Sequence, residues 1–345
     1  MTADLKRVLA SGDLCSKRWI WEQYDYQVRT NTIAGPGSDA AIVRIKDTNK
    51  SIAMSLDGNG RYCALDPREG TKLIVAECCR NLSTVGALPL ATTNNLNFGN
   101  PERPEIMAQI VESIEGLAEA CRFFDVPVTG GNVSLYNETL GAPIFPTPVV
   151  GIVGLLETAI PIGMHFRKAG LEVILIGGLS TPDNSEFGSS QYAKVIGKTI
   201  WGKPPALDMD YEKRLQMTIR ELVRERAVAS AHDIGDGGLA VALAECCFGP
   251  ANVGAEIKLD SELRAELLLF HEGPSRILVA TAEPEKIFAT AMKNNVHAIA
   301  IGVTLETRVT VRNRDRILIE SRVDDLKQSW DGALEHLLQH DPVLV

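Results

Sequence analysis

Two short segments of this 345-residue chain carry the residue types of a nucleotide site. The first covers residues 94–102 (NNLNFGNPE) and the second covers residues 129–138 (TGGNVSLYNE). In the second segment, two consecutive glycines follow an apolar run and allow the backbone to approach a ligand closely. Amide and hydroxyl side chains follow at Asn132, Ser134 and Asn137. This combination suits phosphate and magnesium better than it suits a protein core.

Three residues in the first part of the chain are candidate magnesium ligands, and each has a structural alternative. Asp57 precedes Gly58, and aspartate before glycine is also common in plain turns. Glu77 and Asn81 lie four residues apart, which places them on one face of a helix within a mostly apolar stretch. A solvated helix face would have the same pattern, so the residues alone leave both interpretations open.

A further acidic motif, SAHDIGDGGLAVALAE, precedes an apolar helix. Asp233 and Asp236 could bind a metal, or one of them could cap the helix. His232 stands beside them. A lone histidine in such a position is more often a hydrogen-bonded structural residue than a catalytic one, and no second histidine or cysteine makes a recognisable triad or zinc set.

Composition limits the ligands that the chain can take. A formal net charge of −9 with only 6% aromatic residues argues against nucleic-acid binding, which uses basic stripes with interleaved aromatics. Anionic ligands must therefore be held by backbone amides, helix N-termini and divalent cations. No P-loop spacing and no GxGxxG pattern is present, which disfavours the two commonest nucleotide-binding folds.

Location and redox state follow from the same sequence. No apolar run reaches membrane-spanning length, and the first residues do not form a secretory signal, so we expect no membrane partner and a cytoplasmic location. The chain has 7 cysteines, an odd number, and no CxxC pair. We expect reduced, buried structural thiols at Cys15, Cys63, Cys78, Cys79, Cys121, Cys246 and Cys247.

Alternating strand and helix patterns predict two α/β units. For the first unit we expect strands at 40–46 and 51–56, a returning strand at 61–65 after the hairpin signal DGNG, a helix at 72–86, a strand at 88–93, a loop at 94–102, a helix at 104–124 with its start near Pro101, and a strand at 148–156. Pro161 and Gly163 interrupt the pattern and mark a boundary between residues 157 and 167.

The second unit repeats the alternation. We expect strands at 171–176, 276–281, 308–311 and 316–319, and helices at 209–226, 238–247 and 284–294. The predicted domains are therefore 1–157, with residues 1–30 as a lead-in, and 168–345.

The combination of motifs resembles one known family. The chain is similar to the second half of the synthetase part of phosphoribosylformylglycinamidine synthase. The matching segments cover most of residues 36–250 and are PGSDAAIVRIK, DGNGRY, RNLSTVGALPLATTNNLNFGNPERPE, TGGNVSLYNE, PTPVVGIVGL and AHDIGDGGLAVALAE. Weaker similarity continues in EFGSSQYAK and HEGPSRI.

The resemblance implies a fold and a reaction. The fold class would be α/β (α+β), with the two-domain architecture of aminoimidazole ribonucleotide synthetase, called PurM-like. In the reaction, ATP activates the amide oxygen of formylglycinamide ribonucleotide as an iminophosphate, and ammonia drawn from glutamine displaces phosphate. The family's catalytic histidine lies in a KxESHNHP motif of the first half, which has no counterpart here. The resemblance thus implies no catalytic residue in this chain and an inactive isolated half.

The resemblance also assigns roles to particular residues. In a composite active site, Asn94 and Gly131 would contact ATP, Asn132 would bind magnesium and Ser134 would touch the substrate. Small-subunit members carry aspartate at the position of Asn94, so the amide here keeps the hydrogen bond and loses the charge. A second, auxiliary site would hold ADP as a structural nucleotide, with Gly235 contributing backbone where relatives carry serine. Its magnesium ligands would be Asp57, Glu77, Asn81 and Asp233.

The implied partners are the homologous first half, a glutaminase subunit and a small bridging subunit, with a homodimer as an option for the isolated half. Two alternatives stay open. The chain could be a non-catalytic scaffold whose sheet pairs with its homologous half. It could instead belong to a related enzyme, namely aminoimidazole ribonucleotide synthetase, selenophosphate synthetase or thiamine-phosphate kinase, although GGNVSLYNE fits formylglycinamidine synthase better.

Overall fold

The computed structural model of the chain describes residues 1–27, 29–157, 161–180 and 182–340. Its first part contains two helices, three strands, two further helices and five strands around one more helix. In chain order these are α1 Thr2–Leu9, α2 Arg18–Trp21, β1 Thr32–Ala34, β2 Ala41–Arg44, β3 Ser51–Asp57, α3 Gly60–Leu65, α4 Pro67–Thr84, β4 Leu88–Asn97, α5 Pro104–Phe124, β5 Val128–Ser134, β6 Glu138–Thr139, β7 Ala142–Pro143 and β8 Thr147–Leu156.

The first sheet has the strand order β1-β2-β3-β8-β4-β5. β4 and β5 are parallel and are joined through α5, and the other neighbouring strands are antiparallel. The helices α4 and α5 supply the apolar side chains that cover one face of the sheet. The other face carries exposed apolar side chains, which are Ile52, Met54, Leu56, Leu88, Leu90 and Val153.

The second part of the chain builds a larger sheet. Its elements are β9 Glu172–Ile176, α6 Asn184–Phe187, α7 Gln191–Val195, α8 Met209–Arg224, β10 Ser230–Asp233, α9 Gly238–Cys247, β11 Val253–Leu259, α10 Ala265–Phe270, β12 Ile277–Thr281, α11 Pro284–Lys293, β13 Ala298–Glu306, β14 Arg308–Asn313, β15 Arg316–Arg322, α12 Val323–Asp331 and α13 Ala333–His340. The strand order is β10-β12-β9-β13-β11-β14-β15. Separate apolar clusters include side chains from its two faces, one with α9 and α12 and the other with α8 and α11. Leu5, Val8 and Leu9 of α1 lie in the first of these clusters, so the N-terminal helix packs on the second domain.

The returning strand predicted at residues 61–65 is wrong, because residues 60–65 form helix α3. Asn59 is extended, with φ −131, and its side chain accepts a hydrogen bond from the backbone N–H of Tyr62. Asparagine is a strong helix N-cap as well as a hairpin residue, and here the capping role prevails. The change matters because α3 buries Arg61 and Tyr62 instead of placing them in a strand.

The two ligand motifs were predicted as loops, and the structure places much of each in a strand. β4 continues through Asn97 and β5 continues through Ser134. The long helix after the first motif begins at Pro104, in agreement with the predicted range 104–124, and its N-cap residue is Arg103 rather than a residue next to Pro101. Strand β3 and helices α5 and α9 agree with their predictions to within one residue, whereas β10, β11 and β13 were not predicted. Residues 158–160 of the predicted boundary lie outside the described residues.

Within the described part of the chain, no helix combines the length and the apolar character needed to cross a membrane. The prediction of buried cysteines is confirmed, since all seven are free and buried. Burial raises the pKa of the Cys63 thiol to about 12 and that of Cys78 well above its usual range.

We therefore expect the native chain to react slowly with a thiol reagent. A thiolate is the reactive form, and a buried thiol with a raised pKa supplies little of it. At pH 8 in Ellman's reagent, fewer than about one thiol per chain should react within minutes, and all 7 should react after denaturation. Rapid reaction of several thiols in the native chain would contradict this burial.

Candidate functional site

The two ligand motifs lie side by side in the first sheet. The parallel register of β4 and β5 pairs Asn94 with Gly131, Asn95 with Asn132, and Asn97 with Ser134. Asn132 Nδ2 donates a hydrogen bond of 2.9 Å to Asn95 Oδ1. The bond uses the nitrogen of the Asn132 amide, so its carbonyl oxygen remains available to a ligand.

Strand alternation divides these residues between two faces of the sheet. A Cβ atom added at Gly131 would lie 2.5 Å from Asn94 Oδ1, so the Asn94 side chain occupies that side of β5. Asn132, the next residue, points to the opposite side. The structure therefore brings the predicted ATP contacts Asn94 and Gly131 together, and it places Asn132 on the other face.

The sheet register identifies which face is which. Asp57 of β3 and Asn94 of β4 both pair with Val150 of β8, which is fully buried beneath the helices. Directly paired residues point to the same side of a sheet, so Asp57 and Asn94 belong to the helix-covered face. On the next row, Leu56 and Thr93 flank Gly151, and Leu56 is 74% exposed. Asn132 consequently belongs to the uncovered face.

Ser134 is held at the end of β5 by a polar turn. Asn137 Nδ2 donates to the Ser134 carbonyl at 2.9 Å and to the Phe98 carbonyl at 3.1 Å. The same amide lies 3.2 Å from Ser134 Oγ. These bonds fix the hydroxyl beside the end of β4 and on the side of the sheet that carries Asn132.

A second cluster forms where the two domains meet. Glu77 projects from α4 of the first domain towards Gly235, which follows β10 of the second domain. A Cβ atom at Gly235 would lie 2.4 Å from Glu77 Oε1 and 3.5 Å from Asp233 Oδ2. A side chain at this position would require the Glu77 carboxylate to move. Asn81 follows Glu77 by one helical turn.

Asp57 ends β3 beside this cluster and has an incomplete set of partners. Its Oδ1 accepts a hydrogen bond from the Gly58 N–H at 2.6 Å. Its Oδ2 is buried and has no hydrogen-bond partner among the described residues. A buried oxygen without a partner is costly, and such atoms call for a specific explanation. The simple turn interpretation does not provide one.

The surroundings of the cluster disfavour ionisation of its carboxyl groups. Burial raises the pKa of Asp57 to about 7, and the neighbouring charge of Asp236 adds to this effect. Burial, with the charges of Asp57 and Asp233, raises the pKa of Glu77 well above its usual range. Burial also raises the pKa of Asp233, against the opposing effect of Arg80. A bound cation would relieve all three effects.

Two arginines of the first domain hold the aspartates of the second domain. Arg80 contacts Asp233 through Nε, and its Nη2 lies 3.3 Å from Asp233 Oδ2. Arg61 Nη2 donates to Asp236 Oδ1 at 2.6 Å, and Asn59 Nδ2 donates to the same oxygen at 3.0 Å. The alternative that one aspartate caps α9 is wrong, because Gly237 occupies the N-cap position without a side-chain bond.

His232 is a hydrogen-bonded structural residue, as predicted. Its Nδ1 lies 2.6 Å from Asp39 Oδ1 and its Nε2 lies 3.2 Å from Glu245 Oε2. Asp39 also accepts from the backbone N–H of Asp233 at 3.0 Å. The pair thereby ties a loop of the first domain to the strand that carries Asp233.

The donor set is suited to magnesium rather than to a transition metal. In the described part of the chain, no group of three or more histidine, cysteine or acidic side chains has the arrangement of a protein-only metal site. Magnesium does not need one, because it keeps several waters and binds through one or two carboxylates together with phosphate. The buried, unpartnered Oδ2 of Asp57 and the oxygen of Glu77 beside Gly235 fit that requirement.

Comparison with known proteins identifies the class. Residues 37–156 match the family described as AIR synthase related protein, N-terminal domain, and residues 168–313 match its C-terminal domain. The chain therefore belongs to the AIR synthase related proteins, and the predicted two-domain architecture is confirmed.

Within that class, the chain resembles one enzyme subunit. It is 44% identical over 334 residues to the phosphoribosylformylglycinamidine synthase subunit PurL of Moorella thermoacetica, covering 96% of this chain and 45% of that protein. The chain thus spans about half the length of the curated relatives it matches. The resemblance stated from the sequence motifs is confirmed.

Solved structures agree on the fold. T. maritima PurL complexed with FGAR has a TM-score of 0.77 at 22% identity, covering 94% of this chain and 53% of that one. The same protein complexed with ATP has a TM-score of 0.73 at 22% identity, covering 94% and 51%. PurLQS from Thermotoga maritima has a TM-score of 0.68 at 23% identity, covering 84% and 46%.

The raised pKa of Asp57 predicts a pH-dependent gain in stability for Asp57→Asn. Folding favours the protonated acid, because its pKa rises from 3.8 to about 7. The stability of the native chain therefore falls as pH rises through that interval. Above pH 7 the carboxylate is charged and its full cost is present, so Asn should raise the free energy of unfolding by about 1–3 kcal/mol at pH 8 and by little at pH 4. Urea unfolding at both pH values measures the difference.

Asp47→Asn is the matched control. Asp47 is exposed in the β2–β3 turn, with φ 63, a conformation that asparagine also adopts. Its replacement should change stability little at either pH. If Asp57 were a plain turn residue, its variant would resemble this control.

Proposed function

We propose that this chain is half of the synthetase subunit of phosphoribosylformylglycinamidine synthase. The complete enzyme would convert formylglycinamide ribonucleotide to formylglycinamidine ribonucleotide, using ATP and ammonia from glutamine. The main evidence is the position of the two ligand motifs on the adjacent strands β4 and β5. Together they present Asn132 and Ser134 on a sheet face that the chain's own helices leave uncovered. The 44% identity to a PurL subunit supports the same assignment.

At the composite site the chain would supply one wall. Asn132 would offer its free carbonyl oxygen to magnesium, and Ser134 would donate its hydroxyl to the substrate. Gly131 would contact ATP through its backbone. Asn94, whose side chain lies against Gly131, would be the second ATP contact. The catalytic histidine is expected on the first half, so the isolated chain would be inactive. The chain's own contribution is positioning, which dominates phosphoryl-transfer catalysis.

At the auxiliary site the chain would bind a nucleotide with residues from both of its domains. Bound magnesium would neutralise phosphate charge there. Asp57 and Glu77 would be its principal carboxylates, with Asn81 beside them. Asp233 would be a weaker magnesium ligand, because Arg80 already contacts both of its carboxylate oxygens. A structural ADP would lie against the Gly235 backbone.

The partners would be the first synthetase half, a glutaminase and a small bridging subunit. The apolar face of the first sheet supports the first of these, because large exposed apolar patches on a folded chain mark interaction sites. The 45% coverage of the PurL relative leaves room for a homologous half of similar size. In the absence of that half, a homodimer through the same face is the alternative occupant. The cytoplasmic location stays a prediction.

Calorimetry with magnesium ADP tests the auxiliary site. The nucleotide-stripped chain should bind saturably, and Asp57→Asn should abolish the binding because it removes the charge that meets the cation. Asn132→Ala should bind as the unaltered chain does, since Asn132 lies on the opposite face of the sheet. In a reconstituted complex with the first half and the glutaminase, Asn132→Ala should instead lower turnover by about tenfold or more.

Absence of nucleotide binding in the unaltered chain, with normal assembly, would favour the scaffold alternative. Turnover of a related substrate but not of formylglycinamide ribonucleotide by the reconstituted complex would overturn the assignment to this enzyme.

A charge on the apolar sheet face should block association with the first half. Leu56 is 74% exposed at that face. Leu56→Glu should weaken association by at least about tenfold, because burying an unpaired carboxylate costs on the order of several kcal/mol. Its melting temperature should change little. Met292→Glu is the control, because Met292 is 77% exposed on α11 of the second domain. Equal association of both variants, measured by biolayer interferometry, would exclude this face.

A further inference from the structure

One buried carboxylate lies at the centre of the domain boundary without belonging to either predicted site. Glu272 follows α10, and its side chain is fully buried. Its Oε1 accepts from the backbone N–H groups of Gln191 and Gly237, each at 2.7 Å. Its Oε2 accepts from Tyr62 Oη at 2.8 Å and from Arg61 Nη1 at 3.1 Å. Four donors from three separate segments thus converge on one group.

Arg61 extends this arrangement to the ligand cluster. While one end of its guanidinium contacts Glu272, Nη2 donates to Asp236 Oδ1 at 2.6 Å. Asn59 donates to the same oxygen at 3.0 Å. Among the described residues, both hydrogen bonds to the Asp236 carboxylate use Oδ1, which leaves Oδ2 free. The side chain of Asp236 is 37% exposed, in contrast to the buried Glu272.

Glu272 also fixes the backbone that carries Asp236. Gly237 has φ 82, and its N–H points at Glu272 Oε1. The N–H of Gly238 bonds to the Gly235 carbonyl at 3.0 Å and closes the turn. A buried carboxylate with a full set of donors holds such a turn more firmly than a neutral acceptor would.

We propose that Glu272 is a positioning residue for nucleotide binding: through Arg61 and the Gly237 N–H, it holds Asp236 beside Asp57 at the auxiliary site. The ligand class is a magnesium-bound nucleoside diphosphate, and the inference rests on the proposed function of that site. Asp236 directly follows Gly235, which Glu77 Oε1 approaches, and its Oδ1 accepts from Asn59, two residues after Asp57, so a displaced turn would alter the carboxylates that meet the cation.

Two variants separate positioning from general stability. Glu272→Gln keeps the shape, and its carbonyl oxygen can still accept the two backbone bonds, but its amide nitrogen cannot accept from Arg61. Tyr62→Phe removes one donor to the same carboxylate and leaves Arg61 in place. Both variants lose a buried hydrogen bond, so both should lower the melting temperature. Only Glu272→Gln should release Arg61 and, through the bond from Arg61 to Asp236, loosen the turn.

The test is calorimetric titration of each variant with magnesium ADP, together with amide hydrogen exchange of residues 234–238 in the free chain. Glu272→Gln should weaken binding about tenfold and speed exchange in the turn. Tyr62→Phe should bind within about twofold of the unaltered chain. Arg61→Lys replaces Glu272→Gln in the test if Glu272→Gln folds poorly. Arg61→Lys keeps the charge but loses the forked guanidinium that reaches both carboxylates, so it should weaken binding by a similar factor.

Unchanged affinity in Glu272→Gln, or equal losses in Glu272→Gln and Tyr62→Phe, would overturn the positioning role while the proposed function stands. Failure of the unaltered chain to bind magnesium ADP would overturn the auxiliary site and this inference together. Affinity loss with unchanged exchange in the turn would also overturn it, because the effect would not act through residues 234–238.

Discussion

Pairing of buried charges across the domain boundary is the interaction on which the rest of the structure depends. The guanidinium of Arg80 is almost fully buried between Asp233 and Glu212 of the second domain. Arg61 is similarly enclosed between Asp236 and Glu272. Removing one partner from such a pair leaves an uncompensated buried charge, at a cost of about 3–5 kcal/mol. The two domains are therefore confined to the arrangement that satisfies both arginines, and this arrangement brings Glu77 against Gly235.

The same boundary contains charge that the protein does not satisfy by itself. Arg80 and Arg61 pair with Asp233 and Asp236, whereas Asp57 keeps a buried oxygen without a partner among the described residues. Burial and the charge of Asp236 raise its pKa to about 7. Natural proteins satisfy most buried polar groups, and exceptions concentrate at functional sites. A stable scaffold of paired charges surrounding one incompletely satisfied carboxylate is the arrangement expected of a cation site.

The sequence predicted the regular elements better than it predicted the contacts between them. Helix α5 follows from an apolar period of 3.6 residues, and β3 follows from its alternation, because both signals are local. The motif DGNG led to the wrong prediction of a hairpin because asparagine occurs both in hairpin turns and in helix caps. The burial of Tyr62, a contact that is not local in sequence, decides in favour of the helix cap. Arg61 and Asp236 are separated by 175 positions, so no local pattern could connect them. The metal-ligand candidates came from residue type and spacing together with the family resemblance, and their arginine partners had no sequence signal.

Strand alternation explains how one sheet could serve two sites. Side chains on successive residues point to opposite faces, so Asp57 and Asn94 face the chain's own helices while Asn132 faces away. The covered face meets the second domain, which brings Gly235 and Asp233 to the same cluster from within this chain. Among the described residues the uncovered face keeps exposed apolar side chains, so a site there would require a partner. Gly131 lies in edge strand β5, with the Asn94 side chain against one side of it. Under the proposed function, a division of the enzyme into halves would leave the auxiliary site intact and the composite site open, because Asp57 lies on the covered face of the sheet and Asn132 on the uncovered face.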